Sequence, residues 1–102
     1  MTDDFYCEFV LSNKIAVQKI YETDEVLAFY HTKPQYKVHI VVIPKKHIRQ
    51  LVDTEDYSII SKIFEVIAET VKKLGLVSFR VITNSGSYQD SKHLHFHLIS
   101  DL

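Results

Sequence analysis

Between positions 93 and 98 the chain reads His-Leu-His-Phe-His-Leu, a strict alternation that admits few conformations. A period of two belongs to an extended strand, whose successive side chains point to opposite faces. His93, His95 and His97 are therefore expected on one face, with Leu94, Phe96 and Leu98 entering a core on the other. The strand is expected over residues 93–100, with neighbouring imidazoles roughly 6.5–7 Å apart at a rise of about 3.3 Å per residue. The outer two are then on the order of 13 Å apart, too far to share one ion at Zn–N distances near 2 Å without a bend.

The other elements announce themselves by the same kind of periodicity. Residues 21–31, "YETDEVLAFYH", read as two short strands joined at Thr23-Asp24-Glu25, a polar turn. Residues 37–44, "KVHIVVIP", form a nearly continuous apolar run that Pro44 should end, because proline cannot donate to a ladder. Apolar residues on both faces predict a central strand with a helix on one side and a partner subunit on the other. Asp53 is a candidate cap for the clearest helix. Its apolar stripe runs through Tyr57, Ile60, Ile63, Phe64, Ile67, Val71 and Leu74, and Gly75 stops it. Residues 79–84 read as a strand, 84–92 as a polar loop, and 5–12 as a second helix. Strands with helices set apart from them predict an α+β fold on an antiparallel sheet of five strands.

Composition excludes several classes of function. The 102 residues suit one domain spanning the whole chain, 1–102, and their 46% apolar content supplies a core. A net charge of -1 offers no basic footprint for nucleic acid and no polybasic membrane patch. Lone Cys7 forms no intrachain disulfide and suits a reducing compartment. The acidic start lacks the basic and apolar regions of a signal peptide, and no run of about 18 apolar residues occurs, so a cytoplasmic location is expected.

Three uses of the histidine row remain open on chemistry alone. It can be a solubilising face of an edge strand. Two adjacent rings can share a metal with His39, whose strand places His39, Val41 and Ile43 on one face. Or one neutral imidazole can attack phosphorus, with the phosphate held by its neighbours and by the backbone of the glycine-containing loop Asn84-Ser-Gly-Ser87. Cys7 reads as a small buried hydrophobe, His47 as structural, and Lys45 and Lys46 as solvated.

"HLHFHLI" (93–99) resembles the signature of the histidine triad family, and "VLAFYHTKPQYKVHIVVIPKKHI" (26–48) resembles that family's first half. With Asn84, Gly86 and Gln89 in the place of its phosphate loop, the likeness extends over almost the whole chain and is closest to the nucleotide-binding, Hint-like branch. The resemblance implies an α+β domain and a homodimer whose sheets join into one. It also implies a hydrolase that cleaves purine nucleoside phosphoramidates or nucleotidyl bonds at the α-phosphate, without cofactor or metal. In it His95 matches the nucleophile, His97 the phosphate or leaving-group partner, and His93 and His39 the supporting histidines. Asn84 and Gln89 match contacts to phosphate and sugar. The runner-up is a nucleotide-binding module with little turnover, and behind it a metal-binding protein using His39, His93 and His95.

The departures gather around the ligand. His31 stands where the family carries the acid that holds the ribose hydroxyls. The loop from Asn84 to His93 is two residues shorter. Asp90 replaces a hydroxyl residue after Gln89, for which Ser91 or Ser87 can substitute. The chain ends at Leu102, short of the tail that reaches a partner's site in many relatives. The Cys-x-x-Cys zinc motif of some bacterial relatives is reduced to Asp4 and Cys7, so no structural zinc is expected.

Overall fold

The computed structural model describes residues 4–101. Five antiparallel strands form one sheet in the order β1-β2-β3-β5-β4: β1 (Lys19–Glu22), β2 (Val26–Tyr30), β3 (Val38–Pro44), β4 (Arg80–Thr83) and β5 (Phe96–Ser100). The helix α1 (Ser58–Leu74) lies on one face and a helical turn, Tyr6–Val10, on the other. The α+β sheet with two helices is thus as the sequence predicts. None of the helices among the described residues is long and apolar enough to cross a membrane.

Each element follows from local chemistry. The Thr23 hydroxyl accepts the N–H groups of Glu25 and Val26 and closes the first hairpin. Gly75 ends α1 in the left-handed region, at φ 66°, and its N–H reaches back to the Lys72 and Val71 carbonyls. The start of α1 differs from expectation. Asp53 belongs to a separate short turn, and it is Asp56 whose carboxylate accepts the Ser58 N–H at 2.9 Å. The apolar stripe is also rotated. Ile63, Val66, Ile67 and Thr70 are buried, whereas Tyr57 and Phe64 are exposed. Phe64 follows Ile63 by one residue, about 100° around the helix, and its ring meets Phe96 edge to face with centroids 5.5 Å apart.

β3 is buried on both faces, but the second cover is not a partner subunit. Ile40 and Val42 face α1, while Val41 and Ile43 pack with Tyr6, Val10, Leu27 and Phe29. The N-terminal turn supplies the layer that the apolar pattern alone assigns to a second protomer.

The last strand is shorter than predicted. β5 begins at Phe96, not His93. Its pairing with β3 places Val42 opposite Phe96, so Pro44, with no N–H to give, falls where Leu94 would need a partner. Pro44 thus gives nothing to the Leu94 carbonyl, its own carbonyl faces His93 Nε2 at 2.8 Å, and the Leu94 N–H donates to the Ile48 carbonyl at 2.6 Å. Leu94, Phe96 and Leu98 nevertheless all enter the core beneath α1.

Candidate active site

His95 lies just outside the ladder, with 2% of its surface exposed. Its Nδ1 lies 2.7 Å from the His93 carbonyl, which can only accept, so Nδ1 carries the hydrogen and Nε2 the lone pair. Thr83 Oγ1 donates to the His95 carbonyl at 2.8 Å and fixes the backbone on the β4 side. The ring sits between Tyr6 and His97, with centroids 4.9 and 5.0 Å away. Burial holds the imidazole below its ordinary pKa against the pull of the His93 carbonyl, so it is neutral near pH 7.

The next imidazole along the strand meets two more. His39 Nε2 lies 2.9 Å from His97 Nδ1, and the His31 ring stacks on His39 with centroids 4.2 Å apart. Backbone N–H groups set the protons here as well: Gln35 donates to His39 Nδ1 and Lys33 to His31 Nδ1. In the neutral rings His39 Nε2–H therefore donates to His97 Nδ1, which leaves a hydrogen on His97 Nε2. Burial and then mutual repulsion push His39 and His97 down to about 4, and burial lowers His31 too. Three neutral rings thus stand at a cavity of about 350 Å³, which Lys33, Asn84 and Asp90 also line. A larger cavity of about 630 Å³ between the β3–α1 connection and α1 contains none of these three.

The comparisons with known proteins decide the family. A model of the HIT domain matches residues 12–101, which hold every histidine of the chain.

The chain is a member of the histidine triad family.

Solved structures of histidine triad proteins carry the same fold. One, a histidine triad protein from Clostridium difficile, is 40% identical, with a TM-score of 0.87 over 97% of this chain and 90% of that one. A HIT family hydrolase from Clostridium thermocellum is 26% identical with a TM-score of 0.90, covering all of this chain and 93% of its own. A histidine triad nucleotide-binding protein from Candida albicans is 27% identical, with a TM-score of 0.84 over 93% of this chain and 72% of that one. The fold is therefore one shared with histidine triad hydrolases and nucleotide-binding proteins.

Within this triad fold the residues singled out in the sequence separate. Asn84, His31, His39 and His97 share the cavity. Gln89 does not reach it: its side chain is buried and donates to the Arg49 carbonyl at 2.7 Å. Ser91 is also buried, and its hydroxyl accepts the Phe5 N–H at 3.0 Å, tying the loop to the N-terminal turn. Ser87 is exposed on the turn Gly86–Tyr88. The metal set His39, His93 and His95 is not formed, because His39 joins His31 and His97 while His93 joins Asp4, Cys7 and His47. Sequence reasoning missed Tyr6, which covers His95, and Thr83, which holds its carbonyl. Neither carries a local pattern that distinguishes it from a core residue.

His93 meets a set of donors that the reduced zinc motif had hidden. Asp4, Cys7, His47 and His93 each bring one ligand atom within 4.8 Å of the others. Cys7 Sγ lies 3.3 Å from His93 Nδ1, and Asp4 Oδ2 lies 3.0 Å from the same atom. His93 Nε2 is committed to the Pro44 carbonyl, so Nδ1 is the nitrogen presented to the others, as in a metal-bound histidine oriented by a backbone acceptor. Burial and the Asp4 carboxylate push the Cys7 thiol up to about 11 when no cation offsets them. A carboxylate, a thiolate and two imidazoles fit a tetrahedral ion of the zinc class. Reading Asp4 and Cys7 as a lost motif left out His47 and His93, which only the fold brings to them.

Proposed function

We propose that this histidine triad protein hydrolyses a nucleoside phosphoramidate, or a related nucleotidyl bond, at the α-phosphate through a covalent intermediate on His95. The observation that carries this reading is the bond from His95 Nδ1 to the His93 carbonyl, which leaves the Nε2 lone pair as the reactive one. The hydrolase and nucleotide-binding relatives named above support the substrate class.

In the first step the Nε2 lone pair bonds to phosphorus while the P–N bond to a protonated amine breaks, and the amine leaves with that electron pair. In the second, water adds to phosphorus, the P–Nε2 bond breaks, and the nucleoside monophosphate leaves as one water proton passes to solvent. A protonated amine needs no strong general acid. Neutral rings supply donors without holding the product phosphate as cations would; the His97 Nε2–H and the Asn84 carboxamide are suited to the non-bridging oxygens. His39 positions His97 by its 2.9 Å contact. Asp4, Cys7, His47 and His93 would hold a zinc-class ion, which would supply a clamp between the N-terminal turn and His93, two residues before the nucleophile. With four protein ligands it would have no open position for substrate.

A homodimer belongs to this reading. Of the two sheet edges, β1 carries the charged pair Lys19 and Glu22, whereas β4 carries one charge, Arg80, beside exposed Ile82 and follows exposed Phe79, the better edge for joining two sheets.

A nucleotide-binding module with little turnover is the second reading. It is favoured by the burial of His95 beneath Tyr6 and by the carboxylate of Asp90 at the cavity. One assay separates the two. Incubation with adenosine 5′-phosphoramidate should release adenosine monophosphate, and His95→Ala should lower the rate roughly 10³-fold or more. Adenosine monophosphate binding without turnover above His95→Ala leaves only the binding module.

A further inference from the structure

We propose that His31, His39 and His97 form a second metal site, for a divalent transition-metal ion bound by nitrogen, separate from the Asp4–Cys7–His47–His93 set. One ring nitrogen from each of the three lies within 4.8 Å of the other two, and the rings share one cavity. Their centroids are 4.2, 5.1 and 6.0 Å apart. Two imidazoles on one ion, with metal–nitrogen bonds near 2.0 Å and tetrahedral angles, put their centroids roughly 5 Å apart, so small ring movements suffice. Imidazole suits zinc, copper, cobalt and nickel, and three imidazoles leave a coordination position for water or for a ligand oxygen. Asp90 lines the same cavity and contributes negative charge beside a cation, opposite in sign to Lys33, which lines it too.

The tautomers make the inference specific. Gln35 and Lys33 donate their backbone N–H groups to the Nδ1 atoms of His39 and His31, so the outward Nε2 atoms hold hydrogens in the metal-free protein. An ion taking His39 Nε2 moves that ring's hydrogen to Nδ1, and the Gln35 N–H must then turn away. The same holds for His31 and Lys33. Binding thus exchanges three N–H···N bonds, the one from His39 to His97 included, for metal–nitrogen bonds and disturbs residues 33–35, which lie outside the strands. Since His97 serves both purposes, the ion and a phosphoryl substrate compete for it.

Cobalt(II) is the probe, because a thiolate ligand gives a charge-transfer band that nitrogen ligands do not. In the Cys7→Ser, His47→Gln protein, which disables the other set, equilibrium dialysis should find one cobalt per chain without that band. Adding His31→Gln should weaken its affinity at least tenfold. In the parent chain, zinc titration followed by amide NMR should move the Lys33 and Gln35 signals, a readout that needs no variant to fold. Absence of bound cobalt in the double variant, affinity indifferent to His31→Gln, or unmoved Lys33 and Gln35 amides would each overturn the site. None of these outcomes depends on phosphoramidate turnover.

Discussion

Mild acid should loosen this fold through the imidazoles at the cavity. His39 and His97 are each pushed from 6.5 down to about 4, first by burial and then by neighbouring rings. Below pH 6.5 the unfolded chain takes up protons that the folded chain refuses until about pH 4, so the unfolded state gains. The stabilisation from these two rings is complete above the upper value, is lost as pH falls, and has no more to lose below the lower one. At about 1.4 kcal/mol per pKa unit, the ceiling is about 3 kcal/mol for each ring. Solvent at the cavity and coupling between the rings reduce this to about 3 kcal/mol for the pair, of which about 2 kcal/mol is gone by pH 5. The assay is urea unfolding at pH 7, 6 and 5, with EDTA present to keep ions off the rings. With an m-value of about 1.3 kcal/mol per molar, the midpoint should fall by about 1.5 M between pH 7 and 5. A His39→Gln, His97→Gln double variant should lose less than half as much. A midpoint unmoved by pH in the parent, or an equal loss in the double variant, refutes the idea that burial keeps these rings neutral.

Three further outcomes test the fold around the site. Leu98 is fully buried between sheet and helix, and Leu98→Ala should cost about 3 kcal/mol in urea unfolding, since the closely packed core cannot collapse into the space. Gly75→Ala meets no neighbouring atom within 4 Å, so its cost of about 1 kcal/mol, measured by thermal unfolding, should come from the left-handed backbone alone. The proposed homodimer should be lost in Ile82→Lys on β4, giving a monomer in light scattering, and a dimer that persists in the variant would move the interface elsewhere.

Much of the architecture was legible because its signals are local. The Leu94-Phe96-Leu98 alternation, the apolar run ending at Pro44 and the polar Thr23-Asp24-Glu25 turn each constrain only their own few residues. The structure has a strand or turn at each, although β1 begins at Lys19 and β5 at Phe96. Boundaries fared worse where a distant residue intervened. The ladder of β5 begins late because Pro44 on β3 has no N–H to offer Leu94, a fact about two strands together. Helix α1 begins late because Asp56, and not Asp53, is placed to take the Ser58 N–H. Gln89 and Ser91 suit a ligand loop by residue type, yet their partners, Arg49 and Phe5, come from elsewhere in the chain.

From its own order of residues the chain determined that three imidazoles would follow one another beside a buried strand, and which family signature they form. Tertiary structure alone decided that they would not act as a row. His93 turns to Asp4, Cys7 and His47; His97 turns to His39 and His31; His95 remains between them, held by a carbonyl on one side and covered by Tyr6. The reason is physical. Spacing settles the face on which a side chain leaves the backbone, but its proton, its charge and its neighbours depend on groups brought up by folding, and those lie as far as 89 residues away.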